Sequence, residues 1–212
     1  MMDEVTTIDQ VIERRFYRAE LRLKRDGDTI KIIGYGSVFN SLSDDMGGWQ
    51  EIVEPGAFSE VLEDDIRSLF NHDFNMILGR TAAGTLKVKE DDIGLRYEVT
   101  PPETSYAKDL ITSIERGDVD QSSIGFRVKE ARWDTQRIIP LRRIIKYERL
   151  YDVGPVTIPA FPTTSVAVRD YLSNLLSQAA ERDEVARLGQ AAGDPARRLD
   201  LLKRRLRLVS SQ

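Results

Sequence analysis

Three short stretches carry residues that together could perform acyl transfer. "NHD", residues 71–73, holds His72, the single histidine of the 212-residue chain. "DQSSIGF", residues 120–126, places Ser122 and Ser123 shortly before a glycine. "ERLYDVGPVTIPAFP", residues 148–162, sets Glu148 and Asp152 in an otherwise apolar, strand-like run. A serine hydroxyl alone is a poor nucleophile. An imidazole that takes its proton, and a carboxylate that orients the imidazole, make it a competent one.

Each stretch also has a plainer reading. Asn71 and Asp73 have turn-forming side chains, so spacing alone favours His72 as a turn residue. Two serines before Gly125 read as a bulge at a strand start. The stretch is not the Gly-x-Ser-x-Gly elbow, which removes the α/β-hydrolase reading. Glu148 and Asp152 are four apart, and a regular strand sends both to one face. That face is solvated if Tyr147 and Tyr151 pack inward. A Ser–Lys dyad using Lys108 or Lys129 is a second hydrolase arrangement. Spacing does not show that any of these groups meet.

Composition narrows the chemistry. With no cysteine, thiol nucleophiles, disulfides and thiolate metal sites are excluded. One histidine is too few for most zinc sites, so neither metal nor cofactor is expected. A net charge of −4 gives no reason to expect specific nucleic-acid binding. No apolar run approaches the roughly 18 residues of a membrane span, and the charged N-terminus lacks a signal-peptide stretch. The chain is expected to be soluble and unexported, with one core and an appendage.

The elements that must position these groups are mostly strands. Residues 1–15 read as a polar arm. "FYRAELRLK" and "TIKIIGYGSVFN" read as strands joined by the turn "RDGD". "PGAFSEVLEDD" spaces Phe58, Val61 and Leu62 as a short amphipathic helix. "MILGRT", "GTLKVKED" and "IGLRYEVTPP" suggest a meander. "ETSYAKDLITSIERG" predicts a helix stopped by Gly117. "VDQSSIGFRVKEARW", "RRIIKYERLYDV" and "VTIPAFP" return to strand composition. From Arg169 the pattern becomes helical, and residues 170–212 read as two amphipathic helices, the second strongly basic.

The combination is more specific than its pieces. "GYGSVFN", "EIVEPGAFSEVL", "LFNHD", "LGRTAAGTLKVKEDDIGLRYEV", "IERGDVDQSSIGFRV" and "LYDVGPVTIPAFPTTSVAVR" follow one another in this order. This closely resembles the prohead serine proteases of tailed bacteriophages, the HK97-type family, over about residues 16–169. The resemblance implies an α+β protein whose core is a β-barrel of the herpesvirus-assemblin type with flanking helices, followed by the C-terminal helical tail.

It implies a capsid-maturation endopeptidase, held inside the procapsid in the host cytoplasm. Such an enzyme cleaves the scaffold segment of the major capsid protein, and usually itself; a homodimer is a further expectation. The family's roles fall on His72 of "NHD" as general base and on Ser123 of "SIGF" as nucleophile, with Ser122 as the alternative. The acidic position falls on Asp152, with Glu148 in reserve. Two departures from the family pattern stand here: Asp152 replaces glutamate, and Gly154-Pro155 replaces the usual serine and its successor. The second leans toward a rival, a catalytically silent procapsid or scaffold protein that keeps the fold. The tail would dock to scaffold or capsid segments, or be removed by self-cleavage.

Overall fold

The computed structural model describes residues 5–6, 12–17 and 20–157, with 173, 176–178 and 180 of the tail in helix. The chain divides into units Met1–Ser165 and Val166–Gln212. Most of both predicted tail helices, and the end of the "VTIPAFP" strand, lie outside the described residues. No described helix is long and apolar enough to cross a membrane.

The first unit is strand-rich and mixed α+β. Its strands are β1 (Val5–Thr6), β2 (Glu13–Tyr17), β3 (Leu21–Asp26), β4 (Thr29–Val38), β5 (Gln50–Val53), β6 (Arg67–Leu69), β7 (Ile77–Arg80), β8 (Leu86–Glu90), β9 (Gly94–Val99), β10 (Gln121–Asp134) and β11 (Leu141–Val156). The helix α1 (Ser105–Arg116) separates β9 from β10. One sheet runs β1–β10–β11–β6–β7, with β2 also on β10 and β5 also on β11. The other runs β3–β4–β9–β8, antiparallel throughout.

These are two open sheets, and the described residues form no closed barrel, unlike the expected assemblin-type core. Closure needs paired strands around the whole perimeter. Here the larger sheet ends in strands of two to five residues, β1 and β2 on one side and β7 on the other.

The predicted α1 forms as read. Ala107, Leu110 and Ile114 are buried, and Gly117 closes the helix at φ 81°, a left-handed cap that glycine adopts without strain. The predicted helix in "PGAFSEVLEDD" does not form. Residues 55–63 are successive turns, with bonds from Ala57 N to Glu54 O, Ser59 N to Gly56 O and Val61 N to Phe58 O. Gly56 sits at φ 84°, and Phe58 N donates to Glu90 Oε1 at 2.8 Å. Both divert the backbone from a helical ladder, yet Ala57, Phe58 and Val61 are still buried. The apolar spacing reported a buried face, and the backbone chose turns.

"FYRAELRLK" also splits. β2 pairs with β10 in one sheet, and β3 pairs with β4 in the other. Residues 13–15, assigned by sequence to the polar arm, are part of β2. The centre of the core is apolar and aromatic: Phe58 stacks on Tyr147 at 4.2 Å, and Phe126 meets the same ring edge-on at 4.9 Å.

Candidate active site

The pairing of β10 with β11 lays out the site. Ser123 lies opposite Gly154, and Gly125 lies opposite Asp152. Residues opposed across a ladder share a face, and every second residue returns to it. Ser123 and Asp152 therefore rise diagonally from adjacent strands on one face, and Gly125 leaves space between them. A Cβ on Gly125 would overlap the Asp152 carboxylate. The glycine of "SIGF" is thus a requirement of the carboxylate opposite it.

His72 enters from the turn joining β6 to β7. Its Nε2 lies 2.6 Å from Ser123 Oγ. Its Nδ1 is hydrogen-bonded to Asp152 Oδ2. Ser123, Asp152 and His72 are 1%, 6% and 9% exposed, so all three interact with little screening by water.

The turn that delivers His72 is conformationally costly. Asn71 and His72 have φ of 55° and 57°, in the left-handed region that L-residues avoid. β11 holds them there. Asn71 N donates to Pro155 O at 3.0 Å, and Thr157 N donates to Asn71 Oδ1 at 2.8 Å. Asp73 N closes the turn onto Phe70 O at 3.0 Å. The strand that supplies Asp152 therefore also fixes the left-handed turn that supplies His72. Turn residue and candidate base are one description of the same side chain.

Gly154-Pro155 has a definite part in this. A Cβ on Gly154 would overlap the Leu69 carbonyl, so only glycine lets β6 approach this closely. Pro155 contributes the carbonyl that anchors Asn71. The departure that leaned toward a silent protein thus builds the His72 turn.

The alternatives from the sequence lie elsewhere. Ser122 is fully buried on the opposite face, its Oγ 2.9 Å from Tyr97 Oη. Burial pushes the Tyr97 phenol upward, so it stays protonated. Glu148 is half-exposed and sits 3.6 Å from Arg127. One register shift lies between it and Asp152 and a second falls on Glu148 itself, so the two-residue alternation does not carry across. Lys129 pairs with Glu60 at 2.5 Å, and Lys108 lies 3.8 Å from Glu103. The partners of Ser123 Oγ are His72 and, at 2.9 Å, the Arg15 carbonyl of β2.

Beside this carbonyl lies a buried ionic cluster that the sequence reading missed. Glu13, Arg15, Glu51 and Arg142 are each at most 5% exposed. Burial would raise the Glu13 carboxyl, but the Arg142 and Arg15 charges outweigh it and hold it below its ordinary range. The one sequence signal was the alternation Glu13-x-Arg15 at the edge of the apolar pattern.

A serine, a base on its hydroxyl and a carboxylate on the base's other nitrogen can open an acyl compound by nucleophilic attack. No curated protein and no solved structure matches the chain. The family model of the caudovirus prohead serine proteases matches residues 18–177, more than half of the chain, and the chain belongs to that family.

Proposed function

We propose that this protein is a capsid-maturation endopeptidase that cleaves peptide bonds through Ser123, His72 and Asp152. The observation that carries this reading is the bridge made by one imidazole, with Nε2 at 2.6 Å from Ser123 Oγ and Nδ1 bound to Asp152.

In the proposed cycle, Ser123 Oγ attacks the scissile carbonyl while its proton passes to His72 Nε2. Asp152 accepts the Nδ1 hydrogen, selects the tautomer with a free Nε2 lone pair, and faces the imidazolium as it forms. The proton then goes to the leaving amine, which breaks the C–N bond and leaves an acyl-serine. Water, deprotonated by His72, hydrolyses that ester and restores the serine. Family membership supports the scaffold segment of the major capsid protein as substrate, inside the procapsid. Self-cleavage, including release of residues 170–212, belongs to the same proposal.

The test is co-production of the protein with its capsid protein and scaffold segment. Wild type should shorten the capsid chain, and Ser123→Ala should leave it full-length while retaining the wild-type circular-dichroism spectrum. Normal shortening by Ser123→Ala would overturn the assignment.

A further inference from the structure

We infer that β2 lies where a substrate lies, and that Glu51 and Arg142 select an acidic-x-basic tripeptide that is cut after the basic residue. The inference rests on the serine-protease reading above and adds a substrate class to it.

β2 is an extended segment added antiparallel to β10, from Phe126 to Ser122. Strand addition is a common way to hold a peptide: the main chain supplies affinity, and alternate side chains supply selectivity. Ser123 Oγ donates to the Arg15 carbonyl oxygen at 2.9 Å, which sets that peptide group beside the nucleophile. Attack on its carbon requires the hydroxyl proton to turn to His72 Nε2, 2.6 Å away. The peptide group presented is therefore the one between Arg15 and Phe16. β2 also precedes the span matched by the family, residues 18–177.

The side chains on either side of this carbonyl are sorted by the strand period. Arg14 is exposed, whereas Glu13 and Arg15 are buried. Arg15 Nε and Nη2 donate to the Glu51 carboxylate at 3.0 and 3.3 Å. The Arg15 guanidinium also lies 5.7 Å from the Trp49 ring centroid and 5.5 Å from that of Phe126. Arg142 Nη1 and Nη2 donate to the two Glu13 oxygens at 2.8 and 3.0 Å. With β2 withdrawn, Glu51 and Arg142 still face each other at 3.1 Å. The emptied groove holds one acid and one base, and each is opposite in sign to the side chain it received. A peptide lacking either charge leaves a buried ion with half its partners, which is strongly unfavourable.

Because Ser123 is 1% exposed, β2 leaves before another peptide enters. Hydrolysis of its own Arg15–Phe16 bond is one route: water is consumed, Arg15 gains a carboxylate and Phe16 an amine.

The experiment incubates the full-length protein with a peptide library of mixed sequence and reads every cut, including cuts in the protein itself, by mass spectrometry. Labelling by a fluorophosphonate runs in parallel. Cuts are expected after Arg or Lys, with Asp or Glu enriched two residues earlier. Glu51→Gln should lower kcat/KM on IERRFYR more than tenfold. It should change kcat/KM on IERAFYR, with alanine at the second arginine, by less than threefold. If Glu51→Gln does not fold, the wild-type protein supplied with IERRFYR and IERAFYR provides the second test, since the alanine peptide should be cut at least tenfold more slowly. Ser123 labelling with no preference for a basic residue before the cut overturns this inference and leaves the protease reading standing. No labelling and no cut overturns this inference, and with the capsid chain also left full-length on co-production it overturns both.

Discussion

The Asp152 carboxylate occupies the place where a side chain on Gly125 would begin. The two residues are opposed in the β10–β11 ladder, so neither strand can shift to relieve a collision without moving Ser123 as well. Gly125→Ala should therefore keep the sheet and lose the chemistry. Displacing a catalytic group by about 1 Å costs about 10²-fold in rate, and overpacking costs about 1–3 kcal/mol. Steady-state kinetics with denaturant unfolding checks both numbers. Turnover within threefold of wild type would show that the carboxylate position does not matter.

Asp152 and Glu148 make opposite predictions. Asp152→Asn keeps the shape but removes the carboxylate charge and presents an NH2 donor that favours the wrong His72 tautomer, which in triads of this type lowers kcat by about 10⁴. Glu148→Gln removes only a half-exposed partner of Arg127, and such pairs are worth about 0–1 kcal/mol. The Glu148 variant should turn over like wild type. A peptide assay on both variants decides between them.

What the sequence reveals here depends on whether local pattern or long-range pairing decides the outcome. α1 was legible because its apolar period, its length and Gly117 agree. Of the expected three-strand meander, the β8–β9 pair was legible, but "MILGRT" is not its third strand: β7 pairs with β6 in the other sheet. The turns of residues 55–63 were not, because burial at helical spacing leaves the backbone path open. Gly56 and the bond from Phe58 N to Glu90, 32 residues away, settled it. The split of "FYRAELRLK" between two sheets was hidden because alternation continues across a change of partner. The site shows both cases. The stretches around His72, Ser123 and Asp152 were identifiable by motif. The roles of Gly125, Gly154 and Arg15 depend on which backbone lies opposite, and no single stretch records that.

Ser122 and Ser123 are adjacent and should behave as unrelated residues. Ser122→Ala removes a hydrogen bond to Tyr97 and leaves the buried phenol without that partner. The cost should be about 1–3 kcal/mol of stability, with kcat preserved. Combining it with Tyr97→Phe should cost less than the sum of the two, because each single change leaves a polar group unpaired. Urea unfolding of the four proteins in the cycle measures this. A large loss of kcat in Ser122→Ala would place chemistry on the wrong serine.

The left-handed turn at Asn71 separates backbone strain from tethering. Asn71→Gly accepts the φ of 55° but loses the bonds from Thr157 to Asn71 Oδ1. Asn71→Ala loses the bonds and is strained in addition. The alanine variant should be less stable than the glycine variant by about 1–2 kcal/mol, the usual cost of a left-handed L-residue. Both should lower kcat, since both loosen the turn that aims His72. Equal stability of the two would mean that the turn relaxes out of the left-handed region.

Acid should destabilise the first unit in a defined window. Hydrogen bonds from Lys129 and then Lys146, each 2.5 Å from a Glu60 oxygen, lower the Glu60 carboxyl from 4.5 to about 2. Glu13 is lowered in the same direction by Arg142 and Arg15. A carboxyl depressed in the folded state stabilises fully above its unfolded value, and that stabilisation is lost as pH falls toward the folded value. Stability should therefore hold from pH 7 to 5 as far as these groups decide it, then fall between 4.5 and about 2. Glu60 is exposed, so its share should shrink in 0.5 M salt, whereas the buried Glu13 share should persist. Thermal unfolding of wild type and Glu60→Gln across this range, at low and high salt, measures the two parts. A steep loss of stability between pH 7 and 5 that Glu60→Gln and salt leave untouched would show that other groups govern it.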